Sequence, residues 1–437
     1  MQRTKLMISL REILYIFAAV LVIFEIYLME LVNVLRYTDE IIAVLCLAKI
    51  LSVALRKGLD RMHIYMLLLM LLLLSLGLVS TYDKRLQLNW KAILTDIGNT
   101  FKVFVTYIGA SLYLKPVGSK KRIVSVLATV IRVFVLVLFG FMLLHFAGIY
   151  VQGNDVRYGL KSFQFINRGA GQLSLMFYAL LTLQTVDLRY SKRKNKKLVF
   201  IGLTLLVWLT TLRTRAFMYA LIYIVLYWLI IVKDYKITLN WKTALLLVAV
   251  LYILSADQID LYFNSPKNAR AYFVRFGIYT MQGYFPLGSG FATYGTDAAV
   301  VYYSRLYYYF GFHKVWGLSP SNPIFAHDTY WPAIMAQFGF FGMIIMLLIV
   351  FCWARDLIMK AKNNKFAYLA ALFICITQIS ASIATATFFH FVTVGIFFLL
   401  PLLFEEDQKT LEGREPDETS NGLYPNLQPS QRPVSRI

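Results

Sequence analysis

Along this chain, apolar runs of roughly 17–25 residues follow one another with short polar breaks, the length a helix needs to cross a bilayer. Nine such runs come first, at about 12–32, 38–55, 62–81, 93–114, 123–149, 169–187, 198–212, 216–232 and 242–256. A polar and aromatic stretch from Asp257 to Asp328 interrupts them, and three more runs follow at about 329–354, 366–384 and 388–404. Hydrocarbon offers backbone groups no partners, so helices, which satisfy their own, are the expected spanning form. A β-barrel would need alternating segments of about ten residues, and the continuous run Met66–Leu74 does not alternate. The pattern predicts an all-α polytopic membrane protein of about 12 transmembrane helices, with one large outer loop between helices 9 and 10. It divides the chain into 1–256 (helices 1–9), 257–328 (the outer loop), 329–404 (helices 10–12) and 405–437. The last segment begins Glu405-Glu406-Asp407 and is rich in Pro, Ser, Asn and Glu, the composition of a disordered tail.

Composition agrees with this pattern. The chain is 59% hydrophobic with a mean hydropathy of +0.62, far beyond a soluble domain. Ile13–Met29 is too long for a signal-peptide core and lacks a small-residue cut site, so a retained first span is expected. Cys46, Cys352 and Cys375 all fall inside expected spans, with neither disulfide nor zinc spacing. The net charge of +21 finds no soluble basic module that would hold nucleic acid. Topology accounts for it instead. With the amino terminus cytoplasmic, the loops and terminus on that side carry 23 Lys and Arg, against 9 in the short loops opposite. That asymmetry places both termini in the cytoplasm and the 257–328 loop outside.

Charges within the spans are Glu12, Glu25, Lys49, Asp96, Lys102 and Arg132. Each is costly in lipid and must face a bundle interior, a cavity or a partner. Glu25 and Lys49 are placed to pair between the first two helices. Asp96 and Lys102, six apart, share no face. Arg213 and Arg215 differ in kind, since Leu212-Arg213-Thr214-Arg215-Ala216 sits in a tight outward turn where the positive-inside bias disfavours them. Guanidinium forks suit paired phosphate oxygens. Lipid head groups and lipid-linked pyrophosphates both offer such oxygens, and simple snorkelling to head groups is the plainer alternative.

The 257–328 loop carries 19 aromatic residues among 72, too many for a flexible linker. Around Arg270 and Arg275 the spacing is that of an amphipathic helix, with Tyr272, Phe273 and Phe276 on one side. Gly288-Ser289-Gly290-Phe291 reads as a turn that lets backbone approach a ligand; without a following Lys-Ser/Thr it is no Walker motif. Tyr302, Tyr303, Tyr307, Tyr308 and Tyr309, with Trp316 nearby, suit either sugar rings or a membrane-interface belt. His327-Asp328 closes the loop against the next span. Either residue is a candidate general base, Asp328 is alternatively an orienting or helix-capping group, and the pair is equally open to a surface role. His63, His145, His313 and His390 lack neighbours with ligand spacing, so no metal site is expected.

Taken in order, these residues resemble the O-antigen polymerase and ligase superfamily of bacterial envelope proteins, in particular the Wzy-type repeat-unit polymerases. The resemblance runs from Thr211 to about Gly342. It rests on Arg213-Thr214-Arg215, Arg270, Gly288-Ser289-Gly290-Phe291, and His327-Asp328 before Gln337-Phe338-Gly339-Phe340-Phe341-Gly342. The segment Tyr302 to Trp331 is similar to capsule-type polymerases. The resemblance implies a GT-C-like enzyme of the bacterial inner membrane that joins undecaprenyl-pyrophosphate-linked oligosaccharides on the outer leaflet, inverting, without cofactor, metal or nucleotide sugar. Membrane lipid and a chain-length regulator protein are the implied partners. Arg213, Arg215 and Arg270 would hold the departing pyrophosphate, His327 or Asp328 would take the acceptor proton, and Arg275, Tyr302, Tyr303 and Trp316 would contact substrate. Ligase-like members carry Asn or Ser after the histidine where Asp328 stands here, which leaves the identity of the base open. Three other readings stand beside it: an O-antigen ligase acting on lipid A-core, a transporter of lipid-linked sugars, and a structural scaffold.

Overall fold

A computed structural model of the chain describes residues 9–56, 58–115, 120–151, 153–166, 169–235 and 268–404. They form α1 (Leu10–Leu31), α2 (Thr38–Ala54), α3 (Arg61–Lys84), α4 (Trp90–Leu114), α5 (Lys120–Phe146), α6 (Ala170–Asp187), α7 (Lys194–Leu209) and α8 (Thr214–Tyr227). After these come α9 (Ala269–Gly283), α10 (Asp297–Val301), α11 (Arg305–Tyr309), α12 (Tyr330–Ala361), α13 (Lys365–Ala384) and α14 (Phe391–Leu399). A two-residue ribbon, β1 (Val156–Arg157) against β2 (Leu160–Lys161), is the strand structure among the described residues. Six helical segments there are long and apolar enough to cross a membrane: Leu10–Leu31, Arg61–Lys84, Lys120–Phe146, Thr214–Val232, Tyr330–Ala361 and Lys365–Ala384. The chain is thus an all-α, multi-pass membrane protein. The expected ninth span at 242–256, the first part of the outer loop and the 405–437 tail lie outside the described residues.

Polar contacts sort the helix ends into two faces. At one face Glu12 pairs with Arg122 at 3.0 Å, Asp60 with Lys115 at 3.5 Å and with Lys360 at 3.2 Å, and Asp234 with Lys365 at 2.9 Å. Lys120 Nζ donates there to the Phe404 carbonyl at 3.3 Å. These contacts gather the loops that the charge count assigned to the cytoplasm. The other end, called here the loop face, carries the Asp155–Arg213 and Asp328–Arg270 pairs. The charges expected within spans find partners: Lys102 holds Asp39 at 2.6 Å and Arg132 holds Asp187 at 2.8 Å. The expected Glu25–Lys49 pair is not formed. Lys49 lies about 15 Å down α2 from Asp39 and sits over the Tyr113 ring at 5.5 Å, whereas Glu25 faces the start of α2 at Asp39.

Helices α4, α6, α13 and α14 are buried on almost every side and form the centre. Lipid is as apolar as leucine, so contact between spans depends on close packing at small residues. At Gly109 the backbone of α4 lies so near Cys46 of α2 that a Cβ would stand 2.3 Å from the Cys46 Cβ.

The expected tenth span is not one straight helix. Phe388 touches both Tyr330 and Trp353, with ring centroids 5.1 Å and 6.1 Å away. An unbroken helix would hold those two residues about 35 Å apart. The chain folds back at Gly339, whose φ of 65° and ψ of −159° exclude other residues. The limb Tyr330–Phe338 is therefore a half-helix that doubles against the span beginning at Phe340. Breaking the helix strands carbonyls at membrane depth, which must be satisfied inside the protein. Ser289 N–H donates to Ala336 O and Gly290 N–H to Gln337 O, both at 2.8 Å. This corrects the expected ligand role of Gly288-Ser289-Gly290-Phe291. Protein fills the space around it: Cβ atoms at Gly288 and Gly290 would stand 2.4 Å from Gly339 N and 2.5 Å from Thr81 Oγ1.

The cap above this elbow has its own aromatic core of Phe273, Tyr294, Tyr307, Phe310, Phe312 and Leu318. The Asp96 carboxylate accepts from Ala292 N–H at 2.5 Å, fixing the cap to α4. Gln337 Nε2 donates to Tyr294 O at 2.7 Å, fixing it to the half-helix. Replacing Gly339 with alanine forces a Cβ to within 2.4 Å of Pro286 O. Its expected cost is about 3 kcal/mol or more from backbone strain and overpacking, read as a lowered thermal midpoint of the detergent-solubilised protein; an unchanged midpoint would contradict the elbow.

Candidate active site

Helices α2, α6, α8, α9, α12 and α14 all begin in the loop-face half of the bundle. A helix start offers unpaired N–H groups and the positive end of the backbone dipole. At α6, α8 and α12 the preceding residues Gly169, Arg213 and Thr329 make no side-chain cap, so these ends keep that character. Their convergence produces an electropositive region before any side chain is counted.

Two guanidiniums enter it from the turn before α8, where Leu212 adopts a left-handed φ of 52°. Arg215 Nη2 donates to Gly171 O at 2.8 Å. A Cβ on Gly171 would lie 3.2 Å from Arg215 Nη2 and 3.9 Å from Arg213 Cζ, so both arginines flank the start of α6. Arg213 is clasped by Asp155 at 2.7 Å, and Arg157 approaches the same carboxylate at 3.3 Å. Burial works to raise the Asp155 carboxyl, but Arg213 and Arg157 more than offset it, and its pKa lies below the ordinary value. A depressed carboxyl contributes stability above its ordinary pKa and loses it only as pH falls through the folded value, so the clasp is intact at neutral pH.

The third guanidinium, Arg270, comes from the first turn of α9. It pairs with Asp328 and lies over the Phe325 ring at 5.0 Å. Asp328 also feels His327 and Arg215. Burial nevertheless dominates and raises its carboxyl above the usual aspartate range, with Arg270, His327 and Arg215 pulling the other way. Arg270 and Asp328 keep 30% and 25% of their side-chain surface open, so the pair borders a cleft rather than a sealed core. Because the half-helix doubles back, its first residue Tyr330, two beyond Asp328, packs on Phe388 at 5.1 Å.

The cleft has a floor that the sequence reading did not anticipate. His390, just before α14, is in electrostatic reach of Arg215, Lys102, Asp39 and His327. Lys102 lies six residues, about 9 Å, down α4 from Asp96. The chain from Ile383 to Ala386, between two otherwise buried helices, is partly open, as is His390. Non-helical backbone at such depth is tolerated where it lines a cavity. Asp155, His390 and the Lys102–Asp39 pair were all missed, since their partners lie far off in sequence.

Other expected contacts are not brought in. Arg275, five positions beyond Arg270, points away and is exposed. Tyr303 serves the cap, its hydroxyl donating to Leu318 O at 2.9 Å, and Tyr302 is on the outer surface. Trp316 is 70% exposed and reaches Arg270 only by way of Phe325, 5.8 Å away. A separate groove lined by Leu78, Val79, Tyr82, Asp83 and Arg85 lacks a comparable convergence of polar groups. Among the described residues no group of three or more His, Cys, Asp or Glu side chains is arranged to hold a metal ion.

No protein-family model matches the chain, and no curated protein matches it in sequence.

Guanidiniums so grouped are chemically able to hold a multiply charged anion, with a histidine in electrostatic reach. Asp155→Asn removes the carboxylate that competes for Arg213. The Asp155–Arg213 pair is partly exposed and worth at most about 1 kcal/mol, so the thermal midpoint is expected to shift little. Binding of inorganic pyrophosphate, followed by calorimetry, is expected to tighten. Weaker binding would make Asp155 a positioning group instead.

Proposed function

We propose that this protein is an outer-leaflet glycosyltransferase of the bacterial inner membrane that joins polyprenyl-pyrophosphate-linked oligosaccharide units, as Wzy-type polymerases do. In this reading the chain crosses the membrane about 12 times, both termini are cytoplasmic, and the loop face looks outward. The observation that carries the reading is the mutual electrostatic reach of Arg215, the Arg270–Asp328 pair and His327 at the loop face, where that pair keeps part of its surface open. A lipid-linked pyrophosphate is an anion delivered to such a face by its own tail.

The reaction needs no covalent enzyme intermediate. An acceptor hydroxyl attacks the anomeric carbon of the donor sugar, the bond from that carbon to the pyrophosphate oxygen breaks, and the configuration inverts. The electron pair leaves with the pyrophosphate, where Arg215 and Arg270 neutralise the growing charge. The hydroxyl proton passes to a base. Asp328 is engaged by Arg270, which favours His327 for that task and gives Asp328 the role of orienting Arg270. The charge network at the opposite face supports an enzyme over a carrier, because His63, Tyr107 and Asp356 are closed from solvent there. The resemblance of the 302–331 segment to capsule-type enzymes favours polymerase over ligase.

Arg215→Ala and Arg270→Ala are each expected to abolish polymer while single repeat units are still exported. Chain-length ladders of normal length from either variant would defeat the mechanism. His327→Ala is expected to lower the rate by about 10²–10⁴-fold, and Asp328→Asn by less. Unimpaired ladders in the histidine variant would remove it as the base. For orientation, cysteines placed at Tyr309 on the cap and at Lys362 opposite should react with an impermeant maleimide from outside and only after permeabilisation, respectively; the reverse would invert the topology.

A further inference from the structure

The floor of the cleft holds a histidine whose chemistry its hydrogen bonding fixes. His390 Nδ1 accepts the Val392 N–H at 3.3 Å and so caps α14. A nitrogen that accepts a bond carries no proton. The ring is therefore neutral, with its hydrogen on Nε2. As the N-cap of α14, the ring sits at the positive end of that helix. The ring face stacks on Phe391 at 4.5 Å, which fixes its plane. Among the described residues Nε2 has no hydrogen-bond partner, and the side chain keeps part of its surface open. What results is a fixed N–H donor directly after Phe388 and Phe389, whose rings pack on Tyr330 at 5.1 Å and 4.8 Å, three residues beyond His327, and within electrostatic reach of Arg215.

We infer that His390 Nε2–H is a pyrophosphate-binding donor, completing with Arg215 the floor on which the leaving group rests. The assignment rests on the glycosyl-transfer reading above and adds to it a residue of different character. A cation there would bind substrate and product pyrophosphate alike. A neutral donor adds a directed hydrogen bond to the oxygen that gains charge as the sugar departs, and leaves no salt bridge to be broken on release. The proton count is unchanged: the acceptor hydroxyl's proton still goes to His327, and His390 keeps its own.

Two substitutions separate this role from capping. Asparagine can place Oδ1 where Nδ1 caps α14 but has nothing at Nε2. Glutamine can place an amide N–H near the Nε2 position. The test uses the full-length protein in detergent, with farnesyl diphosphate as the soluble probe, measuring affinity and thermal midpoint for wild type, Arg215→Ala, His390→Asn and His390→Gln. His390→Asn is expected to keep the wild-type midpoint and to bind about tenfold more weakly or worse. His390→Gln is expected to recover most of that loss. Wild-type affinity in His390→Asn, or a glutamine variant no better than asparagine, would overturn the inference. If Arg215→Ala weakens binding while His390→Asn does not, only the role of His390 falls. If Arg215→Ala also binds normally, the pyrophosphate reading falls with it.

Discussion

The structure depends on one constraint: a helix broken at membrane depth must have its freed backbone groups satisfied by protein. At Gly339 the chain reverses, and the carbonyls of Ala336 and Gln337 are met by Ser289 and Gly290 of the cap. Everything at the loop face follows from that exchange. It ties the cap to the bundle and doubles the Tyr330–Phe338 limb back. It also brings Tyr330, two residues beyond Asp328, against Phe388, whereas an unbroken helix would hold Tyr330 far from Trp353, which packs on the same ring.

A second consequence is electrostatic. Arginines at a membrane interface normally reach outward to head groups. Here Arg213 and Arg270 are each engaged by a carboxylate, and Arg215 is held to a backbone carbonyl. The carboxylates are not equivalent. Asp155 is favoured as an anion by two guanidiniums, whereas Asp328 is partly desolvated and its anionic form is disfavoured. The two pairs therefore differ in setting, one held as an anion by two guanidiniums and the other drier and dominated by burial.

The spans were legible in the sequence because lipid imposes a simple code of length and hydropathy. The first eight expected segments coincide with helical segments to within about four residues, from Leu10–Leu31 to Thr214–Val232. The Gly339 reversal was invisible to that code, since Phe338-Gly339-Phe340-Phe341 is apolar on both sides of the break. The glycine turn at 288–290 was noticed for the right reason, close approach of backbone, but the approaching partner is protein. Arg215, Arg270, His327 and Asp328, which the structure brings into mutual electrostatic reach, were singled out because charged residues beside lipid stand out. Arg275 and Tyr302 lie on the surface and Tyr303 within the cap, a division that composition does not reveal, because in an aromatic-rich cap core rings and surface rings look alike.

His390 was set aside as a metal ligand in the sequence, and its place among charged groups escaped notice for a different reason. Its meaning comes entirely from residues at 39, 102, 215 and 327, and nothing at positions 386–394 hints at them. A lone histidine in an apolar segment reads as packing until the fold supplies its neighbours. The same logic explains why the cleft is polar only in three dimensions. Its members are spread across α2, α4, α8, α9 and the starts of α12 and α14, each contributing one or two groups to a helix otherwise suited to lipid. Distributing the charges in this way keeps every individual span insertable, and it makes the polar floor appear only once the bundle has closed around it.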